Sequence, residues 1–165
     1  NKLKKKYKNL LTVIIPRHID RKEEIKEQLL NLGLKVHVHE PKTRINQDAD
    51  IYLVNSFGKT KSFYSLIKNV FLGGSLIEHG GQNPLEPSRL GNYIINGPNV
   101  KNFKEIYAFL NNLKISSSTS NILKMENIIL KKLKTKIPDK NIKKIISIGN
   151  DVLEKNLFYI NKYLI

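Results

Sequence analysis

Three observations on these 165 residues predict an α/β fold, a parallel sheet with helices on both faces. Short aliphatic runs alternate with stretches of helical periodicity, the connections between them are short, and the glycines gather directly after one of the aliphatic runs. In such sheets ligands bind outside the carboxyl ends of the strands, so those ends are where functional residues are sought.

The elements follow in chain order. Residues 11–15 (LTVII) form a β-branched run stopped by Pro16, the pattern of a strand buried on both faces. A helix is predicted next, capped by Asp20 with Glu23 three residues on, carrying Ile25, Leu29, Leu30 and Leu32 at helical spacing and ending at Gly33. Residues 35–39 alternate as a short strand. Residues 50–54 (DIYLV) are another apolar run, followed by a turn at Gly58 and a helical stretch with Phe63, Tyr64 and Ile67. The strand 70–72 runs into Gly73 and Gly74. A glycine-rich loop, a helix over 84–90, a strand at 93–96 and an amphipathic helix over 102–113 come after it. The low-complexity segment 114–121 (KISSSTSN) reads as a loop before polar helices over 122–136 and 139–164. Residues 1–113 are thus expected to form the sheet domain, and 114–165 a linker with C-terminal helices packed on it.

Composition narrows the function. A hydrophobic share of 40% with 26% charged residues describes a globular chain able to bury a core. The absence of cysteine excludes disulfides, thiolate nucleophiles and zinc sites built on thiolates. No apolar run approaches the roughly 20 residues of a spanning helix. The net charge of +15 suggests nucleic acid at first sight, but it rests on 25 Lys against 4 Arg, and Arg supplies the planar fork that reads phosphates and base edges. Lys, Asn and Ile, the residues of A/T-rich codons, make up 66 of the 165 positions, so codon usage accounts for much of the charge. What remains is attraction to anionic headgroups or phosphorylated ligands.

The stretch Gly73 to Pro87 (GGSLIEHGGQNPLEP) carries four of the nine glycines within nine residues, directly after a strand. Glycine there lets backbone approach a ligand and turns N–H groups toward it. Asn83 stands at the N-cap of the helix that follows, where an anion or simply a capping box with Glu86 would be accommodated. Arg17, at the exit of the first strand, is placed to pair with a phosphate or carboxylate. His37 and His39 share a strand face but lack a third ligand, so no metal is expected. Ser75 and His79 lack an orienting acid.

These residues carry a resemblance. IPRHIDRKEEI, and IYLVNSFGKTKSFYSLIKNVFLGGSLIEHGGQNPLEPSRLGNYIINGPNVKNFKEI after it, are similar to the C-terminal domain of 3-deoxy-D-manno-octulosonic acid (Kdo) transferases over roughly residues 8–110, and the run from Gly73 to Glu86 with Gly97-Pro98 is specific to that family. The resemblance implies a Rossmann-like domain, the C-terminal half of a glycosyltransferase-B fold with a helical tail, that holds the sugar nucleotide CMP-Kdo. Pro16 and Arg17 fall on the family's first CMP-contacting segment, Phe57, Gly58 and Lys59 on the second, and Asn83, Pro84, Leu85 and Glu86 on the third. Gln82 stands where the family usually has His, Asn55 where it has Asp, and Lys59 where it has Glu. The last change reverses a charge and leaves backbone contacts as the expected role of the middle segment.

The implied activity is metal-independent, inverting transfer of Kdo from CMP-Kdo to a lipid A precursor in lipopolysaccharide biosynthesis, at the cytoplasmic face of the bacterial inner membrane. CMP-Kdo is the donor substrate and no cofactor is expected. The membrane surface is a peripheral partner and nucleic acid is not one. The family's catalytic base lies in the N-terminal acceptor domain, which these residues do not match, so no catalytic residue is expected here and the chain alone is expected to be inactive. The alternatives are a transferase of another sugar nucleotide, or a basic module for nucleic acid or membrane surfaces on a transferase-like fold.

Overall fold

The computed structural model describes residues 2–133 and 135–163 and groups them into two compact units, Asn1–Thr60 and Lys61–Ile165. Each holds a three-stranded parallel sheet. The division at Thr60 falls inside the stretch 1–113 that the sequence groups as one domain.

In the first unit β1 (Thr12–Ile14) and β2 (Val36–Val38) flank β3 (Ile51–Leu53). Thr12 and Val36 pair with Ile51, and Ile14 and Val38 with Leu53. The central strand is apolar at every position, and Ile51, Tyr52, Leu53 and Val54 are all buried, as expected of a strand covered on both faces. Helix α1 (Lys2–Lys6) precedes this sheet, and the Lys4 Nζ donates to the Ala49 carbonyl at 2.8 Å. Helix α2 (Lys22–Asn31) joins β1 to β2. Its predicted cap is corrected: Asp20 sits inside a 3-10 turn, Ile19–Arg21, and makes no capping bond. The entry is held instead by the Arg21 guanidinium, which donates to both Glu24 carboxylate oxygens at 2.8 and 2.9 Å. The end is as expected, Gly33 taking the left-handed conformation (φ +72°) just after the helix.

Asp50 clips this unit together. Its carboxylate accepts from the Lys35 amide at 2.9 Å, while its own amide donates to the Lys35 carbonyl, joining the starts of β2 and β3. The Lys35 amide, and after it Lys4, hold the Asp50 carboxyl below the usual carboxylate range against the opposing effect of burial.

In the second unit β4 (Asn69–Leu72), β5 (Tyr93–Asn96) and β6 (Ser116–Ser118) lie in that order. Helix α3 (Thr60–Leu66) leads into β4, α4 (Leu85–Arg89) lies between β4 and β5, and α5 (Lys104–Asn112) between β5 and β6. Helices α6 (Ile122–Lys132) and α7 (Asp139–Tyr163) complete the described chain. β5 is buried throughout and forms the centre of a core with Val70, Leu72, Tyr107, Leu110, Ile115, Ile137 and Ile145. At the start of β5 the buried Asn92 side chain donates to the Tyr64 and Ile67 carbonyls at 2.8 and 2.6 Å, satisfying backbone oxygens at the end of α3.

β6 corrects a second expectation. The serines read as loop form a strand whose register sets Ile94 against Ser116 and Asn96 against Ser118. Buried Ile115 anchors it, and the Tyr93 hydroxyl reaches the Ser116 carbonyl at 3.2 Å and the Ser117 hydroxyl at 2.5 Å. Ladder bonds to β5 and this phenol supply what serine's weak strand preference does not.

The exits of β4 and β5 are tied by Ser75. Its buried hydroxyl donates to the Leu72 carbonyl at 2.6 Å and accepts from the Gly97 amide at 2.8 Å, while its carbonyl accepts from the Asn99 amide. The contact is so close that a Cβ on Gly97 would overlap the Ser75 carbonyl. Gly97→Ala is therefore expected to cost about 2–3 kcal/mol and to lower the Tm by about 5–10 °C. Gly73→Ala, with open space around the new methyl group, should stay within about 0.5 kcal/mol. Thermal unfolding of the two variants checks this, and equal losses would contradict it. A pH test addresses Asp50. With its pKa depressed, its contribution is complete above the ordinary carboxylate range and lost as pH falls through the folded value. Urea unfolding should show the stability gap between the parent and Asp50→Asn closing on acidification, whereas a gap constant with pH would refute the clip.

Candidate functional site

The segments singled out in the sequence all follow the carboxyl ends of strands. In the first unit Pro16 and Arg17 leave β1, while Phe57, Gly58 and Lys59 leave β3. These strands are parallel neighbours with Ile14 opposite Leu53, so both segments emerge at the same edge of one sheet. The Arg17 guanidinium is exposed and, among the described residues, has no ion-pair partner. Phe57 is 80% exposed, an unusual position for a phenyl ring. Gly58 makes the turn in the left-handed conformation (φ +76°), and Lys59 is exposed. Ser56, which sequence reasoning did not single out, has a buried hydroxyl without a hydrogen-bond partner among the described residues. A lone serine beside a glycine turn carries no signal in the sequence that could have marked it.

In the second unit the glycine loop leaves β4 and is held in shape by the chain after β5. The Gly81 amide donates to the Gly74 carbonyl at 3.0 Å, and the Tyr107 hydroxyl to the Gln82 carbonyl at 2.9 Å. The Asn102 side chain occupies the space that a Cβ on Gly80 would need. Burial pushes the Tyr107 phenol up to about 12, with nearby Tyr64 adding to the effect, so it remains a neutral donor to the loop. Asn83, Pro84, Leu85 and Glu86 then open α4. The expected N-cap is corrected: Pro84 holds that position without a side-chain cap bond, and Asn83, one residue earlier, accepts from the Leu85 amide at 3.0 Å through its Oδ1, a local turn two residues long. Glu86 makes no capping bond among the described residues and stays exposed, its carboxylate close enough to Tyr64 to raise that phenol's pKa beyond the effect of burial.

Other candidates resolve into structure. Ser75 is buried and engaged with Leu72 and Gly97, which removes it as a nucleophile. The His39 Nδ1 pairs with the Tyr52 hydroxyl at 2.5 Å, and His37 stacks on the same ring. Among the described residues no group of three His, Asp or Glu side chains could hold a metal ion. Glu78 is exposed within the glycine loop. A groove of about 430 Å³ between α5, β6 and α6 is lined by Asn96, Lys104, Asn111 and the three serines of β6. Two of the three serine hydroxyls are engaged, Ser117 with Tyr93 and Ser118 with the Gly97 carbonyl.

Comparison with known proteins adds to this geometry. No family model matches the chain. The 3-deoxy-D-manno-octulosonic acid transferase of Haemophilus influenzae is 33% identical over 105 residues, 64% of this chain and 25% of that protein. The enzyme of the same name from Aquifex aeolicus is 27% identical over 143 residues, 84% of this chain and 39% of that protein. The chain therefore spans between a quarter and two-fifths of the length of these relatives. Among solved structures, the C-terminal CMP-Kdo binding domain of WaaA from Acinetobacter baumannii is similar with a TM-score of 0.74 and 27% identity, covering 92% of this chain and 78% of that one. Similarity over that share extends past residues 8–110, on which the sequence resemblance rests, into the helical tail. On sequence and on fold together, the chain is a relative of the 3-deoxy-D-manno-octulosonic acid transferases and the counterpart of their C-terminal, glycosyltransferase-B domain.

Proposed function

We propose that this chain is the donor-binding part of a Kdo transferase: it holds CMP-Kdo while Kdo passes to a lipid A precursor at the cytoplasmic face of the inner membrane. The observation that carries the reading is the likeness, over 92% of the chain, to a domain named for binding CMP-Kdo. The chemistry of the strand exits supports it. Arg17 offers an exposed guanidinium for the phosphate, and Glu86 an exposed carboxylate that can accept from ribose hydroxyls. Gly58 brings backbone close at the middle segment, where Phe57 exposes an apolar face and Lys59 adds positive charge toward an anionic donor. In the third segment the Leu85 amide is taken by Asn83, so Asn83, Pro84 and Leu85 shape the turn that presents Glu86. The relatives cited are transferases or a domain of one, which leaves the nucleic-acid module without support.

Transfer requires a general base within hydrogen-bond reach of the acceptor hydroxyl. Within the family resemblance that base comes from the acceptor domain, so these 165 residues are expected to bind the donor without turning it over. Calorimetry with CMP tests the reading. Arg17→Gln and Glu86→Gln should each weaken binding about ten- to a hundredfold, the loss of one charge-assisted hydrogen bond. Undetectable CMP binding by the parent, or unchanged affinity in both variants, would overturn it. Binding should also survive EDTA, since no metal bridge to the phosphate is invoked, and loss on chelation restored by magnesium would refute that part.

A further inference from the structure

The groove between α5, β6 and α6 takes no residue from the three segments assigned to the donor. Its walls follow from two periodicities. Lys104, Ala108 and Asn111 recur at spacings of four and three, on one face of α5. The register sets Asn96 beside Ser118, and alternation along β6 returns Ser116 to that same face of the sheet, so these three form the floor, while the Ser117 hydroxyl is engaged by Tyr93. Val100 and Ile128 supply apolar borders.

The floor has hydrogen-bonding groups to spare. Ser116 is 4% exposed and Asn96 2%. The Asn96 amide donates to the Gly97 carbonyl at 2.7 Å, which leaves its Oδ1 without a partner among the described residues, and the Ser116 hydroxyl has none there either. Neither atom is sealed from solvent, so both open onto the groove they line. A ligand that expels water from this floor must offer a donor to the Asn96 Oδ1 and a hydroxyl-like partner to Ser116. Charge adds a second requirement: Lys104 forms no ion pair among the described residues and no carboxylate lines the groove, so its ammonium favours a negative group at that end. A bare anion such as sulfate only accepts, which leaves Asn96 unmet, and a neutral polyol leaves Lys104 unused. A polyol with one anionic group meets both, and the apolar borders suit the C–H face of a sugar ring. The volume of about 430 Å³ lies within the range of small-molecule sites, about 300–1,000 Å³.

We infer that this groove is a second binding site, for a monosaccharide bearing one anionic group, with Lys104 on the anion and Asn96, Asn111 and Ser116 on the hydroxyls. It goes beyond the donor reading and does not depend on it.

Titration of the isotope-labelled 165-residue chain with glucuronate and with glucose 6-phosphate, followed through its amide resonances, tests the inference and tells carboxylate from phosphate. At least one of the two is expected to shift the amides of residues 104–111 and 116–118 saturably, and the tighter of them names the anionic group. Glucose and sulfate should each bind at least about tenfold more weakly, the first for want of charge and the second for want of a donor. Lys104→Gln, a change at an exposed position, should weaken sugar binding about tenfold and remove most of its salt dependence. Ser116→Ala should weaken it about three- to tenfold with the Tm unchanged, because that hydroxyl holds no described protein group. Arg17→Gln and Glu86→Gln should bind the sugar as the parent does. Failure of both sugars to bind, equally tight binding of sulfate, or affinity untouched by Lys104→Gln and Ser116→Ala would each overturn the inference. So would displacement of the sugar by CMP, or shifts centred on residues 16–17, 57–59 and 83–86, since either would put the sugar in the donor site. Undetectable CMP binding with the groove shifts retained refutes the donor reading alone.

Discussion

The Ser75 hydroxyl is the fastening on which the glycine loop of the second unit depends. Donating to the Leu72 carbonyl and accepting from the Gly97 amide, it joins the carboxyl ends of β4 and β5 at a point from which water is excluded. A buried hydroxyl that uses both its proton and a lone pair is stable there, and losing either partner would leave a backbone group unsatisfied. The close approach it enforces requires glycine at 97. Asn99 and Asn102 then follow where they can bond to the Ser75 carbonyl and to Gly80, and the loop from Gly73 to Gln82 takes its shape from the chain after β5. Glu86 reaches its exposed position at the end of that series.

The first unit solves the same problem with a charge. Asp50 receives the Lys35 amide and Lys4 on its carboxylate, which fixes the amino ends of β2 and β3, while its carbonyl accepts from the Thr12 amide at 3.0 Å at the start of β1, whose pairing with β3 brings the exits of both strands to one edge. Arg17 and Gly58 are neighbours in this sense because of strand pairing, though they are far apart in the chain. In both units the residues at the strand exits are left with spare capacity among the described residues: an unpaired guanidinium, an exposed ring, an orphaned serine hydroxyl and a carboxylate without an ion-pair partner. Parallel sheets produce such edges because the ladder consumes backbone groups inside the sheet and releases them where the strands end.

The lysine surplus reads differently once burial is known. Spread along the chain, it says little beyond codon usage, but on α7 it lies opposite an apolar stripe of which half is packed and half exposed.

Much was legible in the residues themselves. Apolar runs such as DIYLV and YIIN mark buried parallel strands by composition alone, because a strand covered on both faces cannot tolerate alternation. Gly33 and the glycines after Leu72 announce a helix end and a close-packed loop through their conformational freedom, and the resemblance of the stretch from Gly73 to Glu86 carried the family. Three things waited on tertiary structure. Ser116–Ser118 became a strand because Tyr93 and the β5 ladder satisfy it, a long-range pairing with no local trace. Asp20 lost its cap to the Arg21–Glu24 pair, since two well-aligned hydrogen bonds to a guanidinium hold the helix entry in its place. Ser75 proved to be a fastening and not a nucleophile, because burial and its partners decide what a hydroxyl can do, and both depend on contacts between residues 22 positions apart.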